Sequence, residues 1–235
     1  MHPNIIRLKA VNGVLTQLNE EFVFVGGAVV SLYTDYVQDD NVRPTDDVDV
    51  IVELAGYHGY ASLDEKLRSI GFKNDTMSGV ICRYLLQGII VDIMPTDPSI
   101  LGFSNRWYPD GFKNAVAHQI DKGSSLKIFP LPYFIASKWE AYKGRGKDYR
   151  LSTDFEDLVF LFENVKDLDQ KVRNCPNDLF TYLQTEFANI IDSRDFEEGL
   201  TANLSRENRD IDENYIINLL RSALSIDPPY RGFSR

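Results

Sequence analysis

Arg43-Pro44-Thr45-Asp46-Asp47-Val48-Asp49-Val50-Ile51-Val52-Glu53 is the stretch on which the reading of this chain turns. From Asp47 onward it has the β-branched, apolar character of a strand. Strand side chains alternate faces, so Asp47 and Asp49 share one face while Val48 and Val50 point to the other. Taken alone, such a pair reads as an acidic strand edge. It is not a calcium loop, because no glycine stands at the sixth position and no glutamate at the twelfth. A third carboxylate, Asp92, lies in Ile90-Val91-Asp92-Ile93-Met94, a run otherwise apolar enough for a central strand. An ionised carboxylate in such a setting needs a compensating cation. If the two strands are neighbours, the three carboxylates converge. Hard oxygen donors of this kind suit Mg²⁺ or Mn²⁺, and two ions roughly 4 Å apart can clamp the attacking and leaving oxygens of a phosphoryl displacement.

Working outward, Phe22-Val23-Phe24-Val25-Gly26-Gly27 reads as a buried strand breaking into a tight turn, with a helical pattern resuming over 28–36. Two glycines between strand and helix let backbone N–H groups approach a phosphate, although they match neither a Walker loop nor G-x-G-x-x-G. Before them, Ile5, Leu8, Val11, Leu15 and Leu18 have the spacing of an amphipathic helix over 4–19. Gln38 to Thr45 is a polar loop. Beyond the aspartates the pattern predicts a helix over 63–70 closed by Gly71, then two strands, 80–86 and 88–94, forming a hairpin around Gln87-Gly88. The stretch after Pro95 is loop-rich, with strands near 115–120 and 126–129. Helical patterns dominate from Leu131, with Pro130 and Pro132 placed to start the first helix. In the next, Phe155, Leu158, Val159 and Phe162 fall on one face, and Thr153 with Glu156 forms a capping-box signature. Ile216, Leu220, Ala223 and Leu224 share a face of the last. The division expected is an α/β part, 1–129, and a helical part, 130–235.

The chain has 235 residues, 43% hydrophobic and 12% aromatic, an ordinary globular composition with room for a sizeable core. No apolar run approaches the roughly 20 residues that span a bilayer, and the start lacks the pattern of a secretory signal, so a cytoplasmic protein without membrane contact is expected. Cys82 and Cys175 stand far apart and read as reduced and structural. The formal net charge of −10 argues against broad binding to nucleic-acid backbones. His2, His58 and His118 show no ligand spacing, which counts against a zinc site or a histidine-based triad.

The glycine turn, the run Arg43-Pro44-Thr45-Asp46-Asp47-Val48-Asp49 and Asp92 in Val91-Asp92-Ile93 together resemble the DNA-polymerase-β-like nucleotidyltransferase superfamily. Within it, the R-x-T-x-D-hydrophobic-D pattern is similar to the AbiEii/AbiGii toxin family, which includes the MenT toxins. The likeness continues through Ala136-Ser137-Lys138-Trp139-Glu140-Ala141, similar to that family's lysine motif, and Asp154-Phe155-Glu156-Asp157-Leu158, similar to its D-aromatic-x-D-aliphatic motif. It covers 22–162; residues 163–235 carry no resemblance. The implied fold is α/β in the α+β sense: a nucleotidyltransferase-like mixed sheet with flanking helices, followed by a C-terminal helical half that completes the cleft. By position, Gly26 and Gly27 would hold a triphosphate, joined by Arg43 and Thr45. Asp47, Asp49 and Asp92 would bind two Mg²⁺ ions, or Mn²⁺. Asp92 would also help activate an acceptor hydroxyl, Lys138 would contact phosphate, and Asp154 would be a polar partner in the helical half.

Lys138, Lys143, Arg145, Lys147 and Arg150 concentrate cations in an otherwise acidic chain. A triphosphate beside three carboxylates needs cations, so Arg145 and Lys147 join Lys138 as candidates for nucleotide binding. The expected activity is transfer of a nucleoside monophosphate from an NTP to an acceptor, with release of pyrophosphate. The resemblance implies a toxin of a toxin–antitoxin pair acting on the tRNA 3′ end, with a cognate antitoxin protein as partner. Transfer to a protein or to a small molecule such as an aminoglycoside, and a non-catalytic nucleotide-binding module, are the alternatives.

Overall fold

The computed structural model describes residues 1–34, 42–145, 148–205 and 211–228. The chain divides into two compact units, Met1–Glu140 and Ala141–Arg235. Among the described residues no helix is long and apolar enough to cross a membrane.

Among the described residues the first unit is built on seven strands: β1 (Phe22–Val25), β2 (Asp47–Val52), β3 (Lys73–Asn74), β4 (Arg83–Leu86), β5 (Ile89–Pro95), β6 (Val116–Asp121) and β7 (Ser124–Ile128). They form one mixed sheet in the order β3-β4-β5-β2-β1-β7-β6. β2 runs parallel to β5 and β1 parallel to β7; the other neighbours are antiparallel. β2 is the middle strand, which explains its valines and isoleucine: Val48, Val50, Ile51 and Val52 are almost wholly buried. The helices of this unit are α1 (Pro3–Leu15), α2 (Gly56–Ser69), and the short α3 (Pro98–Leu101) and α4 (Tyr108–Lys113). The fifth, α5 (Leu131–Arg145), begins in the first unit and continues into the second.

Several expectations shift at their edges. The segment after Gly26 winds as a 3₁₀ helix, Gly27–Tyr33, in place of the expected helix over 28–36, whose last two residues lie outside the described residues, as do positions 38–41 of the polar loop. α2 starts seven residues earlier than its apolar pattern, because only Leu63 and Leu67 are buried and its first turns are amphipathically silent. The hairpin turn at Gln87-Gly88 is as expected, with φ of 51° and 87° at its two residues, the both-positive geometry of a type I′ turn.

The second unit contains α6 (Thr153–Asn164), α7 (Leu168–Arg173), α8 (Asn177–Ala188), α9 (Arg194–Asn203) and α10 (Glu213–Leu224). Phe155, Leu158, Val159 and Phe162 of α6 are all buried, and so are Ile216, Leu220, Ala223 and Leu224 of α10, as their spacing predicts. Aromatic edges hold this core together: the Phe155 and Phe196 rings lie 5.6 Å apart and those of Phe162 and Phe187 5.9 Å apart. The cap of α6 corrects the sequence reading. Ser152, one residue before Thr153, is the N-cap, its hydroxyl accepting from the Phe155 N–H at 3.3 Å.

Candidate active site

Parallel pairing of β2 with β5 sets Asp49 directly opposite Asp92. Paired residues on neighbouring strands share a face, and Asp47 lies on that face two residues before Asp49. Carboxylate oxygens of Asp47, Asp49 and Asp92 consequently lie within 4.8 Å of one another. Asp47 and Asp49 are half-buried and Asp92 is buried. An all-oxygen donor set, anionic and still reached by solvent at two of its members, fits a hard divalent ion such as Mg²⁺ or Mn²⁺.

The register continues the row beyond the carboxylates. Antiparallel pairing of β4 with β5 places Arg83 opposite Asp92, so Arg83, Asp92 and Asp49 stand side by side across three strands. The guanidinium grips Asp92 with two parallel hydrogen bonds, Nε to Oδ1 and Nη2 to Oδ2, both 2.8 Å. The same Nη2 lies 3.8 Å from Asp47 Oδ2. Bidentate geometry of this kind is the strongest ion pairing available to a carboxylate. The hydrogen bonds to Asp92 hold the guanidinium well above its ordinary pKa, so it is cationic at every accessible pH.

On the other side of β2, Val25 of β1 pairs with Asp49 and the chain turns at Gly26. Gly26 has φ 71° and ψ −168°, a conformation essentially reserved for glycine. A Cβ there would sit 1.8 Å from Asp49 Oδ2. The glycine is therefore required by the carboxylate it packs against. Gly27 is buried and opens the 3₁₀ helix.

The loop entering β2 is fastened to the start of α1. Asn4, wholly buried, donates from Nδ2 to the Arg43 carbonyl at 3.1 Å and accepts from the Thr45 N–H at 3.0 Å. His2 Nδ1 accepts from the Asn4 N–H, which leaves the Nε2 hydrogen to face the Val42 carbonyl at 3.0 Å. Thr45, itself buried, spends its hydroxyl on the Asp47 carbonyl. Lys138 is buried on α5, its Nζ 5.9 Å from the centre of the Phe134 ring.

In the second unit, Arg145 Nη2 donates to the buried Asp154 at 2.7 Å. Lys143 Nζ pairs with Glu186 at 3.1 Å and lies over the Tyr182 ring, while Arg150 is gripped by Asp148 and reaches Glu198. Lys143, Arg145 and Arg150 thus already carry carboxylate partners. Lys147 lies outside the described residues.

No protein-family model and no curated protein matches the chain. Among solved structures, an antigenic nucleotidyltransferase-like protein from Paracoccidioides brasiliensis superposes with a TM-score of 0.51 at 17% identity, over 87% of this chain and 96% of its own. The antibiotic-resistance factor ANT(2'')-Ia superposes with a TM-score of 0.50 at 12% identity, over 79% of this chain and 93% of its own. The fold is nucleotidyltransferase-like. In a nucleotidyltransferase-like fold of this chain's making, two features escaped the sequence reading. Arg83 carries no signal of its own within the strand expected over 80–86, but the turn at Gln87-Gly88 implies its partner: counting the pairs back through Leu86–Ile89, Leu85–Ile90 and Tyr84–Val91 reaches Arg83 opposite Asp92. The Asn4 clamp left no signal, since a buried asparagine in an apolar helix face is recognisable only once its tertiary partners are known.

Proposed function

We propose that this chain is a metal-dependent nucleotidyltransferase that moves a nucleoside monophosphate from an NTP to an acceptor hydroxyl. The observation that carries the reading is the register of β2 against β5, which gathers Asp47, Asp49 and Asp92 into one oxygen-lined group. In the reaction, a bond forms between the acceptor oxygen and the α-phosphorus, the bond from that phosphorus to the bridging oxygen of pyrophosphate breaks, and pyrophosphate leaves. Bound Mg²⁺ would stabilise charge on the attacking and leaving oxygens. Asp47 and Asp49 hold the cations, Asp92 completes their ligand set and draws the proton of the acceptor hydroxyl, and the Gly26-Gly27 turn admits the triphosphate close to the backbone. Lys138, in the same unit as the carboxylates, is the further residue assigned to phosphate contact.

For the acceptor we take the tRNA 3′ end, with the chain as the toxin of a toxin–antitoxin pair. The R-x-T-x-D-hydrophobic-D pattern of 43–49 supports this choice, and the net charge of −10 restricts contact with RNA to a short segment. The test is to incubate the protein and Mg²⁺ with each of the four α-labelled NTPs and, in separate reactions, total tRNA, total protein or an aminoglycoside. Label in tRNA from one NTP is expected. Label in protein or aminoglycoside alone would overturn the acceptor assignment, and label in none of them the transfer reaction itself.

A further inference from the structure

We propose that Arg83 is a positioning residue that serves as the resident counter-ion of the carboxylate group and sets how tightly the site takes a divalent cation without nucleotide. The inference rests on the metal-binding reading given above. Its starting point is the side-by-side row of Arg83, Asp92 and Asp49 across β4, β5 and β2. Asp92 is 8% exposed, and burying a carboxylate costs free energy that a cationic partner offsets. Arg83 supplies that partner through both carboxylate oxygens, and its Nη2 lies between Asp92 at 2.8 Å and Asp47 at 3.8 Å. A guanidinium in that position does electrostatically what a metal ion does: it neutralises part of three crowded negative charges and keeps them from repelling one another.

Two consequences follow from charge alone. With Arg83 in place the group carries two net negative charges, which one divalent ion balances. A second ion then has little to attract it until a triphosphate brings its own negative charge. The guanidinium also occupies the lone pairs on Asp92 that face it, so a cation must either take Asp92 from Arg83 or share it. Both effects weaken binding of free metal and favour loading together with nucleotide. Arg83 is about one-quarter exposed, which gives the side chain a route away from Asp92 when a cation takes over.

The experiment measures Mn²⁺ binding to the full chain without nucleotide, by loss of the free-ion electron paramagnetic resonance signal, for the parent, Arg83→Met and Arg83→Lys. Thermal unfolding midpoints with and without Mn²⁺ are read alongside. Arg83→Met is expected to bind Mn²⁺ at least about tenfold more tightly than the parent and to gain a larger Mn²⁺-induced rise in midpoint. Arg83→Lys, which keeps the charge but cannot fork, falls between them. Adding Asp49→Asn to Arg83→Met removes the gain. A purely structural arginine would lower the midpoint of both variants and leave the Mn²⁺-induced rise unchanged. Mn²⁺ affinity in Arg83→Met equal to or weaker than in a parent that binds the ion overturns this proposal and leaves the carboxylate metal site standing. Absence of Mn²⁺ binding in parent and variants alike overturns the metal site and this proposal with it. Should Arg83→Met not fold, the same comparison is made with Arg83→Lys.

Discussion

Gly26 and Asp49 constrain each other: the backbone at 26 adopts a conformation that only glycine tolerates, and it does so against a carboxylate oxygen. Replacing Gly26 by alanine imposes two costs, the backbone strain and the displacement of Asp49 by the new Cβ. The strain alone is about 1–3 kcal/mol. Gly26→Ala is expected to lose about that much stability in urea unfolding and, because Asp49 must move, to lose most of its transfer activity as well. A variant with parent stability and parent turnover would contradict the packing described. At this scale the sequence was informative about chemistry and silent about cause. Strand alternation pairs Asp47 with Asp49, and the apolar run around it singles out Asp92, whereas the glycine turn reads as room for phosphate and includes room for Asp49. Thr45 was read as a nucleotide contact, and its hydroxyl is committed to the Asp47 carbonyl, where it shapes the entry to β2.

Among the elements, strands with turn signals were legible and their partners were not. The pairing of β4 with β5 is local and follows from a two-residue turn. The parallel pairing of β2 with β5 joins segments separated by a helix and two strands, and no local pattern in the sequence encodes it; only the shared chemistry of Asp49 and Asp92 hinted at it. Helix ends show the same limit. Thr153 and Glu156 match a capping box, yet Ser152 caps α6, because the preceding residue takes the extended conformation that an N-cap needs, φ −91° and ψ 119°. Ser152→Ala is therefore expected to destabilise the protein by about 1 kcal/mol, measured by urea unfolding, and Thr153→Ala by much less. The reverse ranking would restore the sequence-based cap.

For the whole molecule, the charge of −10 is less uniform than a single number implies. Part of it is concentrated in the Asp47, Asp49 and Asp92 group, where Arg83 and a divalent ion would balance it, and the cations of 143–150 that are described are spent on neighbouring carboxylates. Protonation divides the pH range accordingly. Arg150 holds Asp148 down to about 2 and Lys66 lowers Glu20, so the stability from these pairs is present above about pH 4 and is lost as pH falls through their native values. Burial holds His118 below its ordinary value of 6.5. Its native form refuses a proton that the unfolded chain accepts, so stability declines as pH falls through about 6.5. In urea unfolding at pH 7.5 and 5.5, His118→Asn is expected to show a smaller decline than the parent; equal declines would remove His118 from the account.

The central claim is that a nucleoside monophosphate is transferred at the three carboxylates. The most direct measurement compares α-labelled with γ-labelled NTP in the presence of tRNA and Mg²⁺, for the parent, Asp49→Asn and Asp46→Asn. Asp46 adjoins the group in sequence but is almost fully exposed and faces Arg7 at 3.9 Å. The account predicts acceptor labelling from the α position only, a fall of at least about 100-fold in Asp49→Asn, and parent activity in Asp46→Asn. Labelling from the γ position, or undiminished labelling by Asp49→Asn, would contradict it.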